Sequence, residues 1–476
     1  MSRSLALAGG QPDGSFESTF SETRFESKAT PDGVWQCFQR ANESAKLRVQ
    51  YAIGSGNHAV GYLAKVGDHL FQSPISYYTT RHLWDLAPGY EQAPKPDFSR
   101  PVTVECLSCH ADKPLPIANT LNSYQSPPFE GMAIACDRCH GPAEAHLKRP
   151  VPGSIVNPAK LAGAERDSIC EQCHLAGEIR IPNPGKTMAD FQPGEKTEEV
   201  FTVYVAAHPI ENSIKVISHS EQLALSVCAR NSGGRLWCGT CHNPHDKPER
   251  PVAYYRERCL GCHAANLSAE HQAPDRDCVA CHMPRRPAKD GGHTAFTDHR
   301  IARRPEPEGV TTASEDLKAW REPAEPYRER NLAIALVTEG MQNSSSNEVI
   351  RGYKTLNRME PKLADDAAAL TVLGTVLLTA KEPKEAEGRF RRALELRPDY
   401  APYEVNLANA LIREGDLAGG IVHLKRAVQL DALLPQAVHL LSQEYRTQGE
   451  QAKADQLEAR YRSAMGFSLS PPRAAR

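Results

Sequence analysis

Six times this chain sets two cysteines three residues apart and follows the second with a histidine. The pentads are Cys106-Leu107-Ser108-Cys109-His110, Cys136-Asp137-Arg138-Cys139-His140, Cys170-Glu171-Gln172-Cys173-His174, Cys238-Gly239-Thr240-Cys241-His242, Cys259-Leu260-Gly261-Cys262-His263 and Cys278-Val279-Ala280-Cys281-His282. Chance would supply about 0.02 such pentads in a chain of this composition, and the pattern is the attachment signal of c-type haem. Two thiols on one tight turn can each add to a vinyl group of a single porphyrin. The imidazole that follows is then held beneath the iron. The spacing therefore predicts six covalently attached haem c groups. Their thioether residues would be Cys106, Cys109, Cys136, Cys139, Cys170, Cys173, Cys238, Cys241, Cys259, Cys262, Cys278 and Cys281. Their proximal ligands would be His110, His140, His174, His242, His263 and His282. Zinc ribbons also use paired Cys-x-x-Cys segments, but they need no histidine after every second cysteine.

The opposite axial position of each iron decides what such a group does. Histidine there makes a saturated electron carrier, and an open position makes a catalyst or a gas site. The expected second ligands are His58, His146, His219, His245, His271, His293 and His299. His146 and His245 follow their own pentad histidines by six and three residues. Neither reaches the far side of its own group, so each is expected to serve a neighbour. His58 closes Gly54-Ser55-Gly56-Asn57-His58, where glycine permits close backbone approach to a flat ligand. Seven histidines for six irons implies a further pentad upstream of Met1. His69, His423 and His439 are expected at the surface.

The elements that must position these residues fall into four segments. Residues 1–100 alternate apolar and polar side chains over 47–53 and 60–66, then turn at Gly67-Asp68, which reads as a strand and a hairpin. Residues 101–300 hold all six pentads among recurrent proline and glycine. Such a segment buries too little side-chain surface to fold alone, so the porphyrins are expected to be its core. Residues 301–328 read as a linker rich in Pro, Glu and Arg. Residues 329–467 carry a 34-residue repeat: Leu373, Leu407 and Leu441 share one register, and Ala386, Gly420 and Ala454 another. That interval is the tetratricopeptide period. The fold class expected is mainly α. A haem-organised cytochrome domain of short helices and loops, with a small N-terminal β-hairpin region, precedes a tetratricopeptide solenoid.

A formal net charge of −2 gives no general attraction to nucleic acid. Arg138, Lys148, Arg149, Arg180, Arg235, Arg285 and Arg286 are candidate partners of haem propionates. Of fourteen cysteines, Cys37 and Cys228 lie outside the pentads and are expected as buried thiols. Covalent haem attachment takes place on exported chains. The expected location is periplasmic or extracellular, with an export signal upstream of the recorded start.

Gly-Ser-Gly-Asn-His (54–58), Cys-His-Gly-Pro (139–142), Cys-His-Asn-Pro-His (241–245), Cys-His-Met-Pro (281–284) and Thr-Asp-His (297–299) together resemble multihaem c-type cytochromes fused to tetratricopeptide repeats. That class includes hydroxylamine oxidoreductase, its tetrahaem partner and pentahaem nitrite reductase. No pentad carries the lysine that marks the catalytic haem of those nitrite reductases. The resemblance therefore implies electron transfer along a chain of haems, with redox partner proteins docked on the repeats and a membrane-associated donor. The other expectation is an oxidoreductase acting on a small nitrogen or sulfur compound at one five-coordinate haem.

Overall fold

The computed structural model describes residues 4–41, 43–207, 214–264, 275–302 and 316–469. The chain divides into two compact units. One comprises 134–180 and 190–323; the other comprises 3–133, 181–189 and 324–476. The first pentad belongs to the second of these units, and the other five belong to the first.

The larger unit begins with a nine-stranded antiparallel sheet. Its strand order is Arg100–Pro101, His69–Gln72, Gly61–Val66, Glu43–Ile53, Gly33–Arg40, Thr23–Thr30 and Gly14–Ser18. Leu5–Leu7 and Phe467–Leu469 both pair with Glu43–Ile53. The strand read over 47–53 and the hairpin at Gly67-Asp68 are present, but they belong to a much larger sheet than the small hairpin region expected. The reason is period-2 burial: Thr23–Thr30 alternates buried and exposed residues through its first six positions. Phe25 faces Phe38 across one pair of strands, and Val34 faces Val49 across the next. Phe25, Phe38, Val49, Tyr62, Ala64 and Phe71 form the inner face.

The same unit ends in eight helices within residues 316–469, arranged as four antiparallel pairs. They are Tyr327–Gln342 with Ser346–Met359, Ala367–Thr379 with Pro383–Leu396, Ala401–Glu414 with Leu417–Leu430, and Pro435–Thr447 with Gln451–Ala464. The 34-residue register is buried where it was read. Leu373, Leu407 and Leu441 are core residues, and Ala386, Gly420 and Ala454 sit at the close approaches. The chain thus carries tetratricopeptide-like helical repeats together with a large antiparallel sheet. The repeats pack on the loop of a separate two-stranded hairpin, Ala111–Pro116 with Tyr124–Met132. Leu121 joins Ala401, Val405, Leu434 and Ala437 in one apolar cluster. His69, expected exposed, is half-buried and bonds Asp431 at 3.0 Å. His423 bonds Glu404 at 2.6 Å.

The smaller unit has a side-chain interior of its own. Ile169, Leu175, Phe191, Phe201, Val203 and Tyr204 are buried. This corrects the expectation that porphyrins alone organise residues 101–300: the apolar residues are few but concentrated on Gly163–His174 and Phe201–Ala206. Part of the expected linker is built into this unit. Leu317–Ala319 pairs antiparallel with Tyr204–Ala206, while 303–315 lie outside the described residues. Among the described residues, no helix is long and apolar enough to cross a membrane.

Candidate functional site

Every pentad is helical at its core. The first, second, fourth and sixth occupy short helices, Val104–Ser108, Asp137–His140, Cys238–Cys241 and Cys278–His282. The third and fifth end the longer helices Gly163–His174 and Pro251–His263. Helical spacing puts the two thiols of a pentad, at i and i+3, on one face. Local bonds fix the turn. His140 and His242 each donate a backbone N–H to the first cysteine of their pentad, at 2.9 Å. Asp277 caps the sixth pentad by accepting from Val279 and Ala280. Gly141, at φ 71°, ends the second, a backbone conformation that favours glycine.

Imidazoles from distant positions meet in the smaller unit. His245 lies face-on to His140, with centroids 6.0 Å apart and planes within 12°. His219 contacts His174 at 5.1 Å and His299 at 4.8 Å, and His299 lies 6.1 Å from His242. His245, His219 and His299 are thus each beside the histidine of a pentad other than the one nearest in sequence. His146 bonds Ser154 at 2.8 Å, and His293 is exposed. His58 is half-buried in the larger unit, which also holds His110. His271 lies outside the described residues. His263 is exposed at the end of its helix.

Backbone carbonyls choose the tautomer of several rings. Nδ1 of His140 lies 2.8 Å from the carbonyl of Val156, Nδ1 of His282 lies 2.9 Å from that of Ala302, and Nδ1 of His299 lies 2.9 Å from that of Thr297. A carbonyl only accepts, so the proton sits on Nδ1 and Nε2 keeps its lone pair. Such a ring can take up a proton or donate to an electrophile through Nε2. The Nδ1 atoms of His110 and His174 are buried with no hydrogen-bond partner. Burial holds His110, His242 and His299 below the ordinary imidazole range. Burial, with the nearby His299 and His242, pushes His174 down to about 4. These rings are therefore neutral at pH 7. A cavity of about 300 Å³ opens beside His140, lined also by Pro142, Ser154, Val156, Gln192 and Pro193.

The thiols also meet across pentads. Cys170 and Cys238 share a hydrogen bond, which raises Cys170 and lowers Cys238. Burial and the neighbouring Cys278 push Cys259 up to about 11. Cys37 and Cys228 are free and half-buried.

Several supporting residues were hidden from sequence reading. Glu171, inside the third pentad, is buried and bonded by Trp320 at 3.0 Å and by both terminal nitrogens of Arg321. Asp298, beside His299, accepts from Arg286 at 2.9 Å and from Arg300. Nothing in the spacing of Glu171 announces partners 149 and 150 residues along the chain, whereas Asp298 meets Arg286 because the strands Arg285–Pro287 and Ala295–Thr297 pair. Three of the expected propionate partners are bonded to protein instead. Arg286 holds Asp298, Arg180 holds the carbonyls of Gln172 and Leu175, and Arg235 holds that of Ser232.

No family model matches the chain, and no curated protein matches it. Solved structures similar to part of it include a K341M mutant of an O-GlcNAc transferase from Thermobaculum terrenum, at 26% identity and TM-score 0.22. The match covers 25% of this chain and 23% of that chain. A MamA protein matches at 20% identity and TM-score 0.25, over 29% of this chain and 73% of that one. MamA 41-end from Desulfovibrio magneticus RS-1 matches at 19% identity and TM-score 0.26, over 29% and 77%. The chain spans about a quarter of the transferase's length.

Two expectations are overturned here. The resemblance to multihaem c-type cytochromes is not sustained: no family model matches the chain, and among the described residues no cluster of metal-binding side chains is present. The six haem c groups expected on the pentads are likewise not sustained. Among the described residues, no group of three or more His, Cys, Asp or Glu could hold a metal ion. His174, His219, His299 and His242 meet in successive ring contacts and, among the described residues, do not converge on one point as the three or four ligands of a protein-built metal centre must.

Proposed function

We propose that the chain is an extracytoplasmic protein that docks a partner protein on its helical repeats and exchanges electrons with it through its Cys/His pentads. The observation that carries this reading is the sixfold Cys-x-x-Cys-His spacing, with imidazoles and thiols brought together from different pentads. Paired thiols are two-electron couples: oxidation to the disulfide passes two electrons to the partner and releases two protons to solvent. The twelve pentad cysteines and their six histidines are the proposed active residues. His58, His146, His219, His245, His271, His293 and His299 are their proposed auxiliaries. The repeats supply the docking function, since solenoids of this kind present extended surfaces to partners.

The test is an intact mass and a redox titration of the exported, mature chain. Expected is a reversible redox response that Cys→Ser changes in the pentads diminish one pentad at a time. The mass reports what the thiols carry. A chain with no reversible response removes electron exchange and leaves docking alone.

A further inference from the structure

Resting on the proposed docking function, we infer that the first helical repeat is a recognition site for an Asn-Pro-Gly turn, and that the chain fills it in cis with its own residues 181–189. Those nine residues belong to the larger unit, although the segments before and after them in sequence belong to the smaller one. They form a strap with a defined shape. Pro184 and Gly185 are the two central residues of a turn closed by the Lys186 N–H on the Asn183 carbonyl at 3.0 Å, with Gly185 at φ 74°. Proline followed by glycine with positive φ is the signature of a type II turn.

The first repeat reads this strap by polar contacts inside the fold. Arg330 donates to the Pro182 carbonyl at 2.7 Å, and Asn331 donates to Oδ1 of Asn183 at 2.8 Å. Asp366 holds Arg330 in place through two bonds, at 2.7 and 3.1 Å. Arg330, Asn331, Asp366 and Asn183 are all buried. Burying an ion pair is costly, so its presence calls for a reason beyond stability.

The repeat itself gives no such reason. The second helix of each pair advances by 37 residues from the first pair to the second and by 34 from the second to the third, so Arg330 corresponds to Ala367 and Ala401, Asn331 to Ala368 and Pro402, and Asp366, which precedes the second pair, to Tyr400 and Leu434. Helix-on-helix packing proceeds without the polar set in every later repeat. The set is there for what lies on it. Its ligand is an extended residue whose carbonyl meets Arg330, then an asparagine, then a Pro-Gly turn. A covalently tethered occupant competes at millimolar effective concentration. An outside protein displaying the same turn can enter only when the strap is weakened.

The experiment uses the full chain and a fluorescein-labelled peptide, Ile-Pro-Asn-Pro-Gly-Lys-Thr-Met-Ala, matching residues 181–189. Anisotropy is measured on the natural chain, on Asn183→Ala, and on Asn183→Ala with Asn331→Ala. Expected is peptide binding at least fivefold tighter to Asn183→Ala than to the natural chain, with the gain lost in the double variant. Hydrogen exchange of 181–189 should rise in Asn183→Ala while the helices 367–464 stay protected. Equal binding by all three chains, no binding to a folded Asn183→Ala, or a gain that survives Asn331→Ala overturns the inference. Asn183→Ser, read by the same criteria, replaces the alanine variant if that chain does not fold. Failure of the docking function alone looks different: the peptide then binds Asn183→Ala through Asn331, while no protein partner does.

Discussion

Glu43 shows how single side chains tie this molecule together. It stands at the start of the strand Glu43–Ile53 and accepts from Arg40 at 2.8 Å and from Arg462 at 2.6 Å. Burial pushes its carboxyl up, but the two guanidinium bonds outweigh burial and hold it below the usual carboxylate range. A carboxylate lowered in the folded state adds stability that is complete above its unfolded pKa, about 4.3. That stability is lost as pH falls from there through the lowered folded value. Glu43→Gln should therefore reduce stability at pH 7 and flatten the loss of stability as pH falls below the unfolded carboxylate value, as measured by urea unfolding along an acid series. An unchanged acid slope would show that Glu43 is not linked to folding.

At the scale of elements, glycine positions separate packing from propensity. A Cβ on Gly352 would stand 2.5 Å from the Ala333 carbonyl and 2.7 Å from Val337. Backbone cannot step aside there, so Gly352→Ala should cost about 1–3 kcal/mol. Gly388 lies on the exposed face of Pro383–Leu396 with nothing near its added Cβ. Gly388→Ala should add about 0.5–1 kcal/mol by restricting the unfolded chain. Denaturant midpoints check both, and a Gly352→Ala chain as stable as the natural one would refute the packing of the first pair of helices. Phe390, fully buried against the second pair, is the repeat's anchor. Phe390→Ala should cost about 3–5 kcal/mol.

At the scale of the larger unit, the last strand closes the first sheet. Phe467–Leu469 pairs with Glu43–Ala45, and Phe467 packs edge-on to Phe38 at 5.7 Å under Arg462. Strand and final helix therefore share contacts with the sheet. Phe467→Ala should speed amide exchange in Glu43–Ile53 and in Gln451–Ala464 together. Faster exchange in the helix alone would mean that sheet and repeats open separately.

The repeats were legible in the sequence because their contacts are local. Leu373, Leu407 and Leu441 recur at one interval, and each helix meets its neighbour in chain order. The pentads were legible as motifs for the same reason, since five consecutive residues carry the whole signal. The local strands at 47–53 and around Gly67-Asp68 also showed through their alternation. The size of the sheet did not, because Leu5–Leu7 and Phe467–Leu469 join it from opposite ends of the chain. Nor did the partners of Glu171 and Arg330, which lie up to 150 and 148 residues away in segments that no periodicity connects. Local spacing determines which residues share a turn or a helix face. Only the tertiary structure decided which imidazoles face one another and which segment fills the first repeat, because those contacts depend on how the chain returns on itself.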